Sequence, residues 1–267
     1  MDTRFWGPSG WRLLHTITFS YRAEQKRDKA AIRELFTLLP YVLPCKFCRT
    51  SLQEYMESDS IEPALESRNT LTRWLWRIHN SVNAKLRDQK LPVEPDPPFE
   101  SVKEFYESIL ASGCSKTEFS GWNFLFSVAD LHPRSPLAVR SVPMTGAPPC
   151  ETMKTLEEKN KWNCLTPEER LPLYRQFWSA LGRSLPFKEW RDVWHSSVPI
   201  LSNSDTKKST MKWLWKVRCS MENKLNLLNR CKYSSLCKTL KIHRSGCSKS
   251  RRARTCRKTK TKTIKQR

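Results

Sequence analysis

Glycine is scarce in this chain, with seven in 267 residues. Folds whose turns need positive backbone φ draw on glycine at nearly every corner. The scarcity therefore argues against glycine-looped α/β folds, turn-rich β-sandwiches and repeat solenoids. The apolar pattern says what remains. Trp11, Leu14, Ile17 and Thr18 recur at helical spacing, as do Ile32, Leu35, Phe36 and Leu39. This predicts helices from Trp6 to about Ile109 and an all-α fold. The length admits two ordinary domains, each able to bury a core. No run of about 18 apolar residues is present, so no membrane contact is expected.

The formal charge is +22, and its placement matters more than its size. Thirteen Lys or Arg and no acid fall in residues 238–267, which leaves +9 for everything before them. Such a block reads as a solvated, disordered basic tail. It is suited to nonspecific nucleic-acid contact through phosphate neutralisation, but no zinc-finger spacing or RNP-like string accompanies it. The start, Met1 to Gly10, lacks the charged-then-apolar layout of a secretory leader. An intracellular, cytosol-like setting is expected.

Ten cysteines in such a setting point to redox chemistry or metal binding rather than many structural disulfides. One pair has CxxC spacing, Cys45-Lys46-Phe47-Cys48, and no second CxxC completes a four-cysteine zinc site. Pro44 directly precedes it, so Cys45 to Glu54 can open a helix with both cysteines in its first turn. Unpaired N–H groups and the helix dipole there favour a thiolate, and Lys46 and Arg49 add positive charge. A thiolate with a resolving partner is what disulfide exchange needs. Further on, His79, Val82, Asn83 and Leu86 share one helical stripe, and His15 follows Trp11 by four residues. Polar rings amid apolar neighbours need partners. These are either other side chains or a bound planar, polar cofactor.

These segments are Trp6-Gly7-Pro8-Ser9-Gly10-Trp11 through His15, Pro44-Cys45-x-x-Cys48, and His79-Asn80-x-Val82-Asn83-x-Lys85-Leu86. Their order and spacing resemble the Erv/ALR family of FAD-dependent sulfhydryl oxidases over roughly residues 1–110. The resemblance implies a helical bundle cradling FAD. Trp11, His15 and Tyr21 would line one side of the cofactor, and His79, Asn80, Val82, Asn83, Lys85 and Leu86 would hold its adenine, ribose and phosphates. Cys48 would be the flavin-proximal thiol and Cys45 the interchange thiol that meets an incoming dithiol. Electrons would pass from protein dithiols through the pair to FAD and then to O2, releasing H2O2.

Two departures stand out. The family's structural cysteine pair begins at the position held here by Trp76, so that disulfide is expected to be replaced by packing. A family tryptophan near the cofactor has Tyr106 as its nearest counterpart. The family's setting also implies the host cytoplasm or virion, as in its large-DNA-virus members, with the mitochondrial intermembrane space as the alternative.

The chain also resembles itself. Trp213 to Leu225 aligns without gaps on Trp74 to Leu86, and Arg175 to Arg191 on Arg33 to Arg49. Ser120-Gly121-Trp122 answers Ser9-Gly10-Trp11. In the second copy Cys45 becomes Phe187, Cys48 becomes Trp190, His15 becomes Phe126, His79 becomes Arg218 and Asn83 becomes Glu222. The expected domains are thus 1–112, an Erv/ALR-like oxidase domain; 113–237, a degenerate helical copy without redox or FAD groups; and 238–267, the basic tail. The copy would mimic the family's two-fold dimer within one chain, with a homodimer as the alternative.

Cys231 with Cys237, or Cys247 with Cys256, are candidates for a shuttle pair, and Cys114, Cys150 and Cys164 could pair with one another. Two other classes stay open at this point. One is a nucleic-acid binder working through its tail, and the other is a zinc-stabilised interaction module using Cys45 and Cys48. Neither gives Trp11, His15 or His79-Asn80 a purpose.

Overall fold

The computed structural model describes residues 2–114, 116–197, 206–224 and 232–244. All regular structure among them is helical. The first half contains α1 (Thr3–Phe19), α2 (Lys26–Val42), α3 (Lys46–Ser58), the single turn α4 (Ile61–Ala64), α5 (Arg68–Asp88) and α6 (Phe99–Ala111). The second contains α7 (Trp122–Asp130), the short α8 (Pro136–Val139) and α9 (Leu156–Lys161), then α10 (Pro167–Ser184), α11 (Lys188–Ser197), α12 (Lys207–Lys224) and α13 (Tyr233–His243).

Local sequence explains many of the boundaries. Asp2 caps α1 by accepting from the Arg4 N–H. Capping boxes open α5 at Ser67 and Thr70, and α10 at Thr166 and Glu169, where Pro167 occupies the first turn. The broad apolar faces then decide the packing. In the first half α1 packs on α5 and α6, and α2 on α3; in the second α7 packs on α12, and α10 on α11. The halves meet where α1 crosses α7 and α2 crosses α10.

That crossing is close and reciprocal. A Cβ on Gly10 would lie 3.2 Å from the Phe124 ring, and one on Gly121 would lie 2.6 Å from Leu13 Cδ2. Ser9 Oγ donates to the Ser120 carbonyl and accepts from the Phe124 N–H. One apolar cluster runs from Trp6 through Trp74 and Trp178 to Leu240, so the halves share a core instead of burying two separate ones. A smaller cluster joins Phe19, Phe99 and Tyr106. Trp76 of α5 packs against the start of α6. Its Nε1 donates to the Pro97 carbonyl at 3.0 Å and its ring meets Phe99 edge-on, which pins the start of α6 by packing.

The connector between α8 and α10 wraps back over the first half. Lys46 Nζ donates to the Val142 carbonyl, Thr50 to the Lys161 carbonyl and Gln53 to the Glu157 carbonyl. Within it Cys150 and Cys164 form a disulfide. Of the three connector cysteines named from sequence, these two are the ones that pair.

The charge run does not begin a tail at residue 238. Helix α13 continues to His243 because Leu236 and Leu240 are buried, which the surrounding lysines conceal in the composition. His243 stacks on Phe5 at 4.2 Å, and its carbonyl accepts from the Asp2 N–H. Arg244 pairs through two nitrogens with the fully buried Asp130, which Lys207 also meets. The rest of the run, 245–267, lies outside the described residues, as do Leu225, Cys231, Cys247 and Cys256. Among the described helices none is long and apolar enough to cross a membrane.

Candidate active site

Cys45 is the N-cap of α3, in extended conformation with φ −146°, and Cys48 is the third residue of the helix. The Arg49 N–H donates to the Cys45 carbonyl at 3.0 Å and closes the turn that carries both thiols. Cys45 is buried and Cys48 half-buried, so the second cysteine is the more open of the two. The positive end of the helix dipole lies at this turn, which favours negative charge there. Arg49 is itself buried, donating to the Leu43 carbonyl at 2.9 Å and to Asn163 Oδ1 at 2.6 Å.

Helices α1, α5 and α6 assemble the second part of the site. His15 Nε2 and His79 Nδ1 share a hydrogen bond of 3.2 Å. The Trp11 ring stacks on His79 at 4.0 Å, and Tyr106 stacks on His15 at 5.1 Å and on Phe19 at 5.3 Å. Burial, with His79 adding to it, pushes the His15 pKa down to about 3. Burial pushes His79 down to about 4, opposed by Asp96. Both rings are therefore neutral at ordinary pH, and one proton serves their shared bond. His15 Nδ1 is buried and has no hydrogen-bond partner among the described residues. Whichever ring donates, one polar ring atom of His15 is left unmet inside the site. Burial also raises the Tyr106 hydroxyl pKa to about 12.

The remaining predicted residues divide. Lys85 reaches from α5 to Ser51 Oγ, one turn beyond Cys48, and so ties the imidazole helix to the cysteine helix. Asn83 donates to Asp96 Oδ1 at 2.7 Å. Asn80, Val82 and Leu86 are half-buried on the same helix. Tyr21 is buried elsewhere, its hydroxyl donating to the Leu65 carbonyl at 2.8 Å, and the structure does not bring it into the ring stack. Three neighbours were missed from sequence. Asp96 anchors Asn83 and Arg87; a lone acid within Pro95-Asp96-Pro97 was its only signal. Ser51 carries no motif at all. Asn163 comes from the second half, more than a hundred residues away, and nothing local to the CxxC announces it. Among the described residues no group of three or more His, Cys, Asp or Glu side chains is placed to hold a metal ion.

Comparison with known proteins meets this geometry. Residues 8–106 match the family described as Erv1 / Alr family. The matched segment runs from α1 into α6. It holds every site residue named above except Asn163, which lies beyond it. The chain is 33% identical over 90 residues to "Mitochondrial FAD-linked sulfhydryl oxidase ERV1" of Saccharomyces cerevisiae, covering 33% of this chain and 47% of the relative. It is 30% identical over 89 residues to "FAD-linked sulfhydryl oxidase ERV1" of Arabidopsis thaliana, covering 33% and 46%. It is also 32% identical over 85 residues to "Probable FAD-linked sulfhydryl oxidase R368" of Acanthamoeba polyphaga mimivirus, covering 31% and 59%. The chain spans about half the length of the curated relatives it matches. No solved structure matches it.

Proposed function

We propose that this protein is an FAD-dependent thiol oxidase that makes disulfides in protein substrates, with Cys45 and Cys48 as its redox pair. One observation carries the reading. The CxxC opens α3 while α5, bonded to that helix through Lys85, presents His79 to Trp11 and His15. The residues fit a flavin. His15 Nδ1 is an unmet polar atom in a buried, neutral, aromatic setting, as a planar polar ring system would require. Trp11, His15, His79 and Tyr106 would flank it, with Asn80, Val82, Asn83, Lys85 and Leu86 towards the nucleotide end. When bound, FAD supplies the two-electron chemistry that restores the pair's disulfide at the expense of O2, with H2O2 as product.

The chain's own groups perform the exchange. With the pair oxidised, a substrate thiolate attacks Cys45 Sγ, a substrate–Cys45 bond forms, and Cys48 leaves as thiolate at the helix N-terminus. The substrate's second thiolate then attacks its own bridged sulfur and releases Cys45. The substrate loses two electrons and two protons, and the pair gains the electrons. The visible spectrum with and without dithiothreitol under air tests this. Flavin bands that bleach with thiol and return with oxygen are expected, and a folded protein that stays colourless with added FAD would overturn the reading. Cys48→Ser should keep flavin yet lose turnover, and Cys45→Ser should lose turnover while retaining a coloured thiolate–flavin contact. Parent-rate oxidation of dithiothreitol by either would exclude this assignment.

The second half we read as a degenerate copy packed on the first like a dimer partner. Matched helix starts support this: Lys188 answers Lys46, and Lys207 answers Arg68. Arg191 donates to the Leu185 carbonyl as Arg49 does to Leu43, six residues back in each case. Gly10 with Phe124 and Gly121 with Leu13 form the reciprocal contact that a two-fold axis generates. Trp190 is buried where the copy would have its second cysteine. For its setting we favour an intracellular one in a virus-infected cell, with the basic run holding the enzyme near nucleic acid. Removal of residues 245–267 that left its location and polyanion binding unchanged would exclude that role.

A further inference from the structure

We propose that Arg49, held by Asn163 of the connector, is a positioning residue that supplies the counter-charge for the Cys45/Cys48 thiolates. The inference rests on the thiol-exchange reading above. Arg49 is 6% exposed, and its partners, the Leu43 carbonyl and Asn163 Oδ1, are neutral. Its Nε has no partner, and among the described residues no carboxylate pairs with the guanidinium. A buried cation served only by neutral groups is costly unless an anion forms beside it. The groups next to it in the α3 turn are the two cysteines. When a thiol there releases its proton to water, the resulting thiolate completes an ion pair that the fold has already half built.

Electrostatics agree with the geometry. Burial lowers the Arg49 pKa to about 10, and Cys45 and Cys48 both act to raise it. The buried Arg170 of α10 also faces Arg49 and adds positive charge. Lys85 of α5 is tied to Ser51, while Tyr55 faces Cys48, with Glu54 and Asp88 near it.

Asn163 is placed with care. Its φ of 58° is left-handed, at the residue after the C-cap of α9. Its N–H bonds the Asn160 carbonyl and the Cys164 N–H the Lys159 carbonyl, a Schellman ending. The Cys150–Cys164 disulfide starts at the next residue. Its Nδ2 donates to Ser141 Oγ and the Val142 carbonyl, which leaves Oδ1 for Arg49. An aspartate here would neutralise Arg49, whereas asparagine orients the guanidinium and leaves its charge to the thiols. Arg191 is the internal comparison. It makes the same backbone bond but is only half-buried, and Phe187 and Trp190 stand where the cysteines would be.

The test reads the thiols directly. The full chain, reduced, is alkylated with iodoacetamide across pH, and the Cys45–Cys48 peptide is followed by mass spectrometry. Arg49→Gln should raise the alkylation midpoint by about one pH unit or more, making alkylation about tenfold slower below it. Arg49→Lys should restore most of the shift, and Arg191→Gln should leave the midpoint where it was. Asn163→Asp, which keeps Arg49 but gives it a carboxylate, should also raise the midpoint. A folded Arg49→Gln with the parent midpoint would overturn the inference, as would an equal shift from Arg191→Gln. If Arg49→Gln does not fold, a parent midpoint in Asn163→Asp overturns it instead. The visible spectrum of the parent judges the oxidase reading separately, because alkylation needs no flavin.

Discussion

His15 shows how one buried side chain couples this site to pH. Its folded pKa is lowered by burial to about 3, so the folded chain refuses a proton that the unfolded chain takes up below its ordinary value of 6.5. Stability therefore falls as pH drops through the window from 6.5 towards 3. At pH 5 the loss from this one group is about 2 kcal/mol. His15→Phe, the residue that position 126 carries in the second half, should remove that share. Urea unfolding at pH 7.5 and pH 5 is the measurement. The parent should lose about 2 kcal/mol more between the two than the variant does, and equal losses would show that His15 takes up its proton while folded. His15 was singled out by its spacing to Trp11, but its bond to His79 was not legible. That bond joins residues 64 positions apart and depends on how α1 packs on α5.

Helix elements carry the next level. The α1–α7 crossing is as close as it is because Gly10 and Gly121 have no side chains there. A methyl on Gly121 would fall 2.6 Å from Leu13 Cδ2 and 2.9 Å from Phe119 Cε1. Gly121→Ala should cost about 1–3 kcal/mol by overpacking a filled interface. Gly10→Ala, whose nearest contact is 3.2 Å, should cost less. A thermal or urea series on both variants checks the order, and a neutral Gly121→Ala would mean that the helices can slide apart. The Ser-Gly-Trp repeat was visible in the chain. That each glycine faces the opposite helix of the α1–α7 pair follows only from the crossing. At the same level, α13 was hidden at the edge of a basic run because two leucines one turn apart among lysines barely register in composition, although their burial decides the helix.

At the scale of the molecule, the halves are not beads on a string. They share one core, and the connector of the second half returns to clamp the cysteine helix of the first. Buried Asp130 gathers the half-buried Lys207 and Arg244 into an ion cluster that joins α7, α12 and the end of α13. If the second half takes the place of a dimer partner, the face that would otherwise pair is already covered. Light scattering of the full chain should then give a monomer. A stable dimer with its interface on residues 1–110 would contradict the internal pairing.

By itself the sequence determined the helical class, the CxxC at a helix start and the imidazole and amide stripe of α5. Each is a matter of local periodicity or of spacing within a single helix, which the chain order preserves. Only the tertiary structure decided that Arg49 is buried with no carboxylate partner among the described residues and is steadied by Asn163. It alone showed that Cys150 pairs with Cys164, that Tyr21 turns away from the ring stack, and that Leu236 and Leu240 extend the fold into the basic run. These depend on which side chains meet across 14 to 114 residues of chain, and burial and hydrogen-bond satisfaction settle that after the helices have packed.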